Sequence, residues 1–244
     1  MPPSNDYFRF KQFCVRQAGA AMKVGTDGVL LGAWARIDGA EGHILDIGTG
    51  TGVIALMAAQ RAPQAQIDAV EIDQAAFRQA QENATASPWS NRINIYHTSI
   101  QDFSSTEKQG YDHILANPPF FVNSLKAPDA ARSSARHADE LPLEALATAA
   151  VRLLASQGRL SVIYPSEEAE RFEALLRPLG LFCRRKTRVR GRADKPVKRI
   201  LMEFSPLPSG IESPPEENEL TIESAPLTYT AEYIALTRDF YLKF

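Results

Sequence analysis

With 244 residues, 44% apolar and 23% charged, the chain has the size and balance of one large globular domain with a substantial core. No apolar run approaches the roughly 20 residues of a membrane span, and Met1 to Asp6 lack the basic and apolar regions of a secretory signal, so a cytoplasmic protein is expected. A net charge of −2 does not by itself announce a nucleic-acid partner, and Cys14 and Cys183 lie too far apart to suggest a metal site; both are read as reduced structural thiols.

In chain order, residues 7–17 alternate apolar and polar in part, which predicts a short hairpin or edge strands. Within 22–35, Thr26 or Asp27 is placed to cap a helix carrying Val29, Leu30, Ala33 and Trp34 on one face. Residues 1–42 therefore read as an N-terminal extension, closed by a turn at 39–42. Residues 44–47 form a short buried strand, the glycine-rich stretch 48–52 a turn, and 53–59 a packed helix. Further strands are predicted at 67–71, 92–96, 111–116 and 160–164, with helices at 74–86, 142–155 and 166–177 between them. A long hairpin over 181–204 turns at 191–196; 205–219 reads as a loop rich in Pro, Ser and Glu, and 229–244 as a short helix packing Tyr233, Ile234 and Leu236.

Alternating strands and helices specify an α/β, doubly wound, mostly parallel sheet, and the hairpin adds an antiparallel closing strand. Such a sheet binds ligands where its strands end and its first turn is made of glycine. Here the turn is Gly48-x-Gly50-x-Gly52 directly after Asp46, a departure from the G-x-G-x-x-G of dinucleotide sites. A carboxylate beside the turn repels phosphate and suits a cationic ligand such as S-adenosylmethionine, which carries a sulfonium and an ammonium. Glu71, at the end of the next strand, is placed to hydrogen-bond ribose hydroxyls, and Asp102 to accept from an adenine amino group.

Asn117-Pro118-Pro119-Phe120 stands where the fourth strand ends. Two prolines stiffen the backbone and aim the Asn117 side chain and the Pro118 carbonyl as acceptors. Acceptors that hold both hydrogens of a planar amine favour a pyramidal nitrogen with its lone pair free, while Phe120 offers a ring for the base to stack on.

Taken together, Asp46 to Gly50, Glu71, Asp102 and Asn117 to Phe120 resemble the class I S-adenosylmethionine-dependent methyltransferases that act on planar amines. Residues 22–28, the Asn-Pro-Pro-Phe-Phe form and the ending 233–242 further resemble one bacterial family, the tRNA(Val) adenine-N6 methyltransferases, which modify the base 3′ of the anticodon. The resemblance implies a seven-stranded Rossmann-like sheet, a methyltransferase domain over 43–244 with a C-terminal segment 205–244, and S-adenosylmethionine as cofactor. It also implies that Lys23, Thr26 and Asp27 lie over the methionine end of that cofactor and that Ile72 joins Glu71 in its site.

A tRNA partner agrees with the charge pattern. Arg184, Arg185, Lys186, Arg188, Arg190, Arg192, Lys195, Lys198 and Arg199 all lie in the hairpin, where they are expected to meet phosphates. Glu212, Glu216, Glu217, Glu219 and Glu223 form an acidic counterpart, and Arg132, Arg136 and His137 follow the Asn-Pro-Pro-Phe stretch on the substrate side. No metal, membrane or obligate protein partner is indicated, and a monomer is expected. The rival readings are methylation of guanine N2 in RNA, of DNA adenine or of a protein glutamine amide, and a non-catalytic RNA-binding scaffold.

Overall fold

The central strands of the main sheet are buried on both faces because helices cover both. The computed structural model describes residues 6–20, 22–108, 110–119, 141–207 and 213–244. Strands β1 (Tyr7–Arg9) and β2 (Cys14–Arg16) pair antiparallel as a separate small sheet, followed by helix α1 (Thr26–Trp34). Then come β3 (His43–Ile47), α2 (Val53–Arg61), β4 (Gln66–Glu71), α3 (Gln74–Thr85), β5 (Ile93–His97), α4 (Ile100–Thr106) and β6 (Tyr111–Ala116). The chain continues through α5 (Leu143–Leu153), β7 (Leu154–Tyr164), α6 (Ser166–Leu176), β8 (Phe182–Arg192), β9 (Val197–Ser205), β10 (Glu216–Ala225), β11 (Thr228–Tyr229) and α7 (Ala231–Thr237).

The sheet has nine strands in the order β11-β10-β8-β9-β7-β6-β3-β4-β5. β3, β4, β5, β6 and β7 run parallel, whereas β9 is antiparallel to both β7 and β8. One apolar layer joins α1 and α2 to residues of the N-terminal strands and of the C-terminal Tyr233 and Phe240; the other joins α4, α5 and α6.

The sheet is two strands wider than the sequence pattern suggests. Residues expected to be a loop include the start of β10, which pairs parallel with β8 from Glu216↔Arg185 to Glu223↔Arg192. Its glutamates hid this strand, since alternate acidic positions look like a solvated loop until a basic strand lies beside them. The expected caps of α1 are also displaced. Gly25 is the N-cap, and Thr26 and Asp27 occupy the first turn with no capping side-chain bond. Helix α4 was not expected at all; Ser99 caps it by accepting from Asp102 N. Among the described residues no helix is long and apolar enough to cross a membrane.

Helix α2 follows the glycine turn, and a cation fixes its far end. The Arg92 guanidinium donates to the carbonyls of Ala59, Ala62 and Ala65 at 2.8, 3.0 and 2.6 Å. Ala59 lies in the last turn of α2 and Ala62 is its C-cap, where carbonyls lack intrahelical partners, and Ala65 lies in the turn that follows. Arg92→Met should lower the unfolding free energy by about 2–3 kcal/mol without changing the fold. Urea unfolding followed by circular dichroism checks this, and an unchanged midpoint would dismiss the capping role.

Candidate active site

The turn after β3 owes its shape to three glycines in the left-handed region, Gly48, Gly50 and Gly52, with φ of 68°, 58° and 82°. L-residues resist these angles. At Gly48 and Gly50 a Cβ would meet nothing within 4 Å, so the chain here borders open space rather than packed core. That is a cradle a ligand can approach closely.

Two carboxylates brace the cradle. Asp46 is fully buried, its Oδ2 accepting from Thr49 Oγ1 at 2.5 Å and Ala55 N at 3.1 Å, while its Oδ1 has no partner. Asp46 thus lies beneath the turn, not open to the crevice, and it ties the turn to the first residues of α2. Burial pushes its carboxyl up to about 7, with nearby Glu71 adding to the rise. At the end of β4, Glu71 accepts from Gly50 N at 2.8 Å through Oε2 and from Asp73 N at 2.9 Å through Oε1. Beside it Ile72 is 55% exposed, a large apolar surface at the mouth of the cradle. Asp102 is exposed in the first turn of α4 and accepts from Ser99 Oγ at 2.7 Å.

Register brings Asn117 to the same place. Ile47 pairs with Ala116, so Gly48 and Asn117 leave adjacent strands side by side. A Cβ on Gly28 of α1 would stand 3.4 Å from Val53 and 3.7 Å from the Asn117 Nδ2, so α1 closes over both. Among the described residues, the Asn117 Oδ1 is buried and has no hydrogen-bond partner. A buried acceptor left bare is costly unless a ligand supplies the donor. Pro118 is buried and Pro119 half-buried behind it, while Phe120, Arg132, Arg136 and His137 lie outside the described residues.

Of the residues implied to cover the cofactor, Lys23 and Thr26 are exposed. Asp27 receives Nε–H of Arg199 at 2.7 Å, which joins α1 to the start of β9. The basic hairpin itself is less free than its composition suggests. Arg185 is buried over the Trp34 ring and bonded to Glu203 and the Trp34 carbonyl; burial lowers its guanidinium to about 10. Lys186 pairs with Glu173 at 2.7 Å, Arg188 with Glu217, and Arg190 with Glu219 at 2.9 Å. Arg184 is half-buried on the strand. At the tip, Arg192 and Lys195 share Asp194, and Lys198 is exposed.

Among the described residues no group of three or more His, Cys, Asp or Glu side chains could hold a metal. The donor set suits S-adenosylmethionine instead: an open glycine cradle backed by two acids, an exposed apolar residue and, among the described residues, no cation bonded to the turn. Gly48, Gly50 and Gly52 would pass close to it and Glu71 would take its ribose.

The fold is that of class I methyltransferases. A predicted O-methyltransferase from Agrobacterium tumefaciens superposes with a TM-score of 0.64 at 18% identity, covering 88% of this chain and 96% of its own. TrmN from Thermus thermophilus superposes with a TM-score of 0.54 at 24% identity, over 78% of this chain and 52% of its own. The profile of the methyltransferase small domain matches residues 24–178. A Trichodesmium erythraeum protein named tRNA1(Val) (adenine(37)-N6)-methyltransferase is 52% identical over 97% of this chain and 98% of its own length. One of the same name from Parabacteroides distasonis is 45% identical over 98% and 99%. The chain belongs to this methyltransferase family.

The raised Asp46 carboxyl has a signed consequence. The folded state keeps this proton up to about pH 7, whereas an aspartate in the unfolded chain gives it up near 3.8, so stability falls as pH rises between the two. Relative to wild type, Asp46→Asn should gain stability as pH rises through that window and hold a constant difference above it. Thermal unfolding of both proteins from pH 4 to 8 tests this; a difference that does not move with pH would mean that Asp46 does not titrate there.

Proposed function

We propose that this protein is an S-adenosylmethionine-dependent methyltransferase acting on N6 of adenine 37 in tRNA1(Val), as its relatives are named. The observation that carries the chemistry is the bare, buried Asn117 Oδ1 beside the glycine cradle. Bound S-adenosylmethionine supplies an electrophilic methyl group and leaves as the neutral thioether. Asn117 Oδ1 and the Pro118 carbonyl accept the two hydrogens of the adenine amine and hold its lone pair toward the cradle. The nitrogen becomes cationic as its new bond to carbon forms, and it then loses a proton to water, so no strong base is needed. Lys23 and Thr26 close the methionine side, and Ile72 and Asp102 the adenine side. Phe120 offers the stacking ring. Positioning of this kind supplies most of the rate enhancement.

The RNA meets the tip of the basic hairpin more than its strands. Tyr164 at the end of β7 pairs with Ile200, and Arg188 also pairs with Ile200, so the chain from Val189 to Arg199 projects past the sheet edge at which Asn117 stands. Arg192, Lys195 and Lys198 at that tip are the cations for phosphate. Arg185, Lys186, Arg188 and Arg190 are paired with acids along the sheet edge, and Arg199 holds α1.

Tritiated S-adenosylmethionine and total tRNA from cells lacking the gene provide the first test. Label in N6-methyladenosine of one tRNA species is expected; label in guanosine, DNA or protein would move the substrate elsewhere, and none at all would leave a scaffold. Asn117→Ala should lower kcat by about 100-fold or more while cofactor affinity stays within about threefold, as fits an acceptor used in the transition state. A parallel loss of both would remove that role. Lys195→Glu with Lys198→Glu should raise KM for tRNA by roughly tenfold and flatten its salt dependence, whereas Arg188→Gln should not. The reverse order would place the RNA on the strands.

A further inference from the structure

We infer that Asn83 is a positioning residue for the cofactor turn, and that through it the chain after β2 is built into the cofactor site. The inference rests on reading residues 48–52 as the cradle. Asn83 is 1% exposed, in the last turn of α3, outside every motif of the methyl-transfer site. Its Oδ1 accepts from Arg16 N at 2.8 Å, and its Nδ2 donates to Arg16 O at 2.8 Å and to Thr51 O at 2.9 Å. The first two bonds reproduce what a neighbouring strand would offer to β2. The third reaches into the glycine turn.

An uncharged amide is suited to this task because it presents one acceptor and two donor hydrogens from a single short side chain. Aspartate would face both carbonyls with an acceptor, and leucine would offer nothing. Apart from Gln79, the rest of the buried face of α3 is alanine, Ala76, Ala80 and Ala84, and packing alone would be served by another small apolar residue. A buried amide costs free energy unless it is paired. Both Asn83 hydrogens go to backbone carbonyls of two other segments, so its bonds serve registration between segments and add nothing to α3 itself.

Two more buried amides continue the pattern. Gln79 Oε1 accepts from Gly19 N at 3.2 Å, and Gln17 Oε1 accepts from Val24 N at 2.9 Å. Together the three fix points on the path from β2 to Lys23, Thr26 and Asp27. The turn needs outside anchors because the side-chain positions of Gly48 and Gly50 face open space. Asp46 anchors it through Thr49, Glu71 through Gly50 N, and Asn83 through Thr51 O.

The test compares Asn83→Leu and Asn83→Asp with Arg92→Met, which disrupts a buried polar cap on the far end of α2. Affinity for S-adenosylmethionine is measured by calorimetry on RNA-free protein, and hydrogen exchange of residues 48–53 without cofactor. The Asn83 variants should bind roughly tenfold more weakly and exchange faster at 50–52, with kcat at saturating cofactor within about threefold of wild type. Arg92→Met should bind as wild type does. Wild-type affinity and exchange in Asn83→Leu would overturn the proposal, as would an equal loss in Arg92→Met. If the wild-type protein bound no S-adenosylmethionine, the reading of the turn would fail, and the exchange comparison would still decide whether Asn83 holds it.

Discussion

The three left-handed glycines of the turn bring no side chains of their own to hold it, and the structure depends on how that deficit is met. Gly48 and Gly50 leave the end of β3 open enough for a ligand to lie against the backbone, but the freedom of all three glycines makes the shape of the turn costly in conformational entropy. Order is imposed from three sides: Asp46 below, Glu71 from the neighbouring strand and Asn83 from α3. The first of these carries an unusual burden. Asp46 is wholly buried with one bare oxygen, so its carboxyl is held protonated to higher pH than an exposed acid, and the turn rests on a group whose charge is costly.

Parallel pairing converts this local arrangement into an active site. Because β3 and β6 are adjacent and in register at Ile47 and Ala116, the glycine turn and Asn117 emerge together, and α1 closes over them where Gly28 permits close approach. The Asn117 acceptor is thereby buried with no donor among the described residues. In the proposed reaction the substrate amine supplies that donor, and the energy of satisfying a buried acceptor goes into orientation.

Electrostatics at the other edge of the sheet follows from chain economy of a different kind. A strand as basic as β8 at an open edge would repel itself and invite pairing with another chain. β10 lies parallel to it and matches it with Glu217 and Glu219, while Arg36 holds Glu216 at 2.6 Å. These exposed pairs add little stability individually. Their effect is on where positive potential survives, which is the tip of the hairpin, past the sheet edge that bears Asn117.

Local pattern alone was sufficient for much of this. Alternating apolar runs determined the parallel core from β3 to β7, glycine spacing with Asp46 and Glu71 marked the cradle, and Asn117-Pro118-Pro119 marked the end of β6, because each depends on the chemistry of a few consecutive residues. Contacts between distant residues decided the rest. The run of glutamates becomes β10 only because a basic strand is its neighbour, and Asp27 acquires its partner from Arg199, far along the chain. Asn83 looked like an ordinary polar residue in a helix, and its signal was visible only as a break in the apolar stripe of Ala76, Ala80 and Ala84. Which backbone it bonds depends on how α3 packs against β2 and the turn, a relation between three segments that no single stretch of sequence contains.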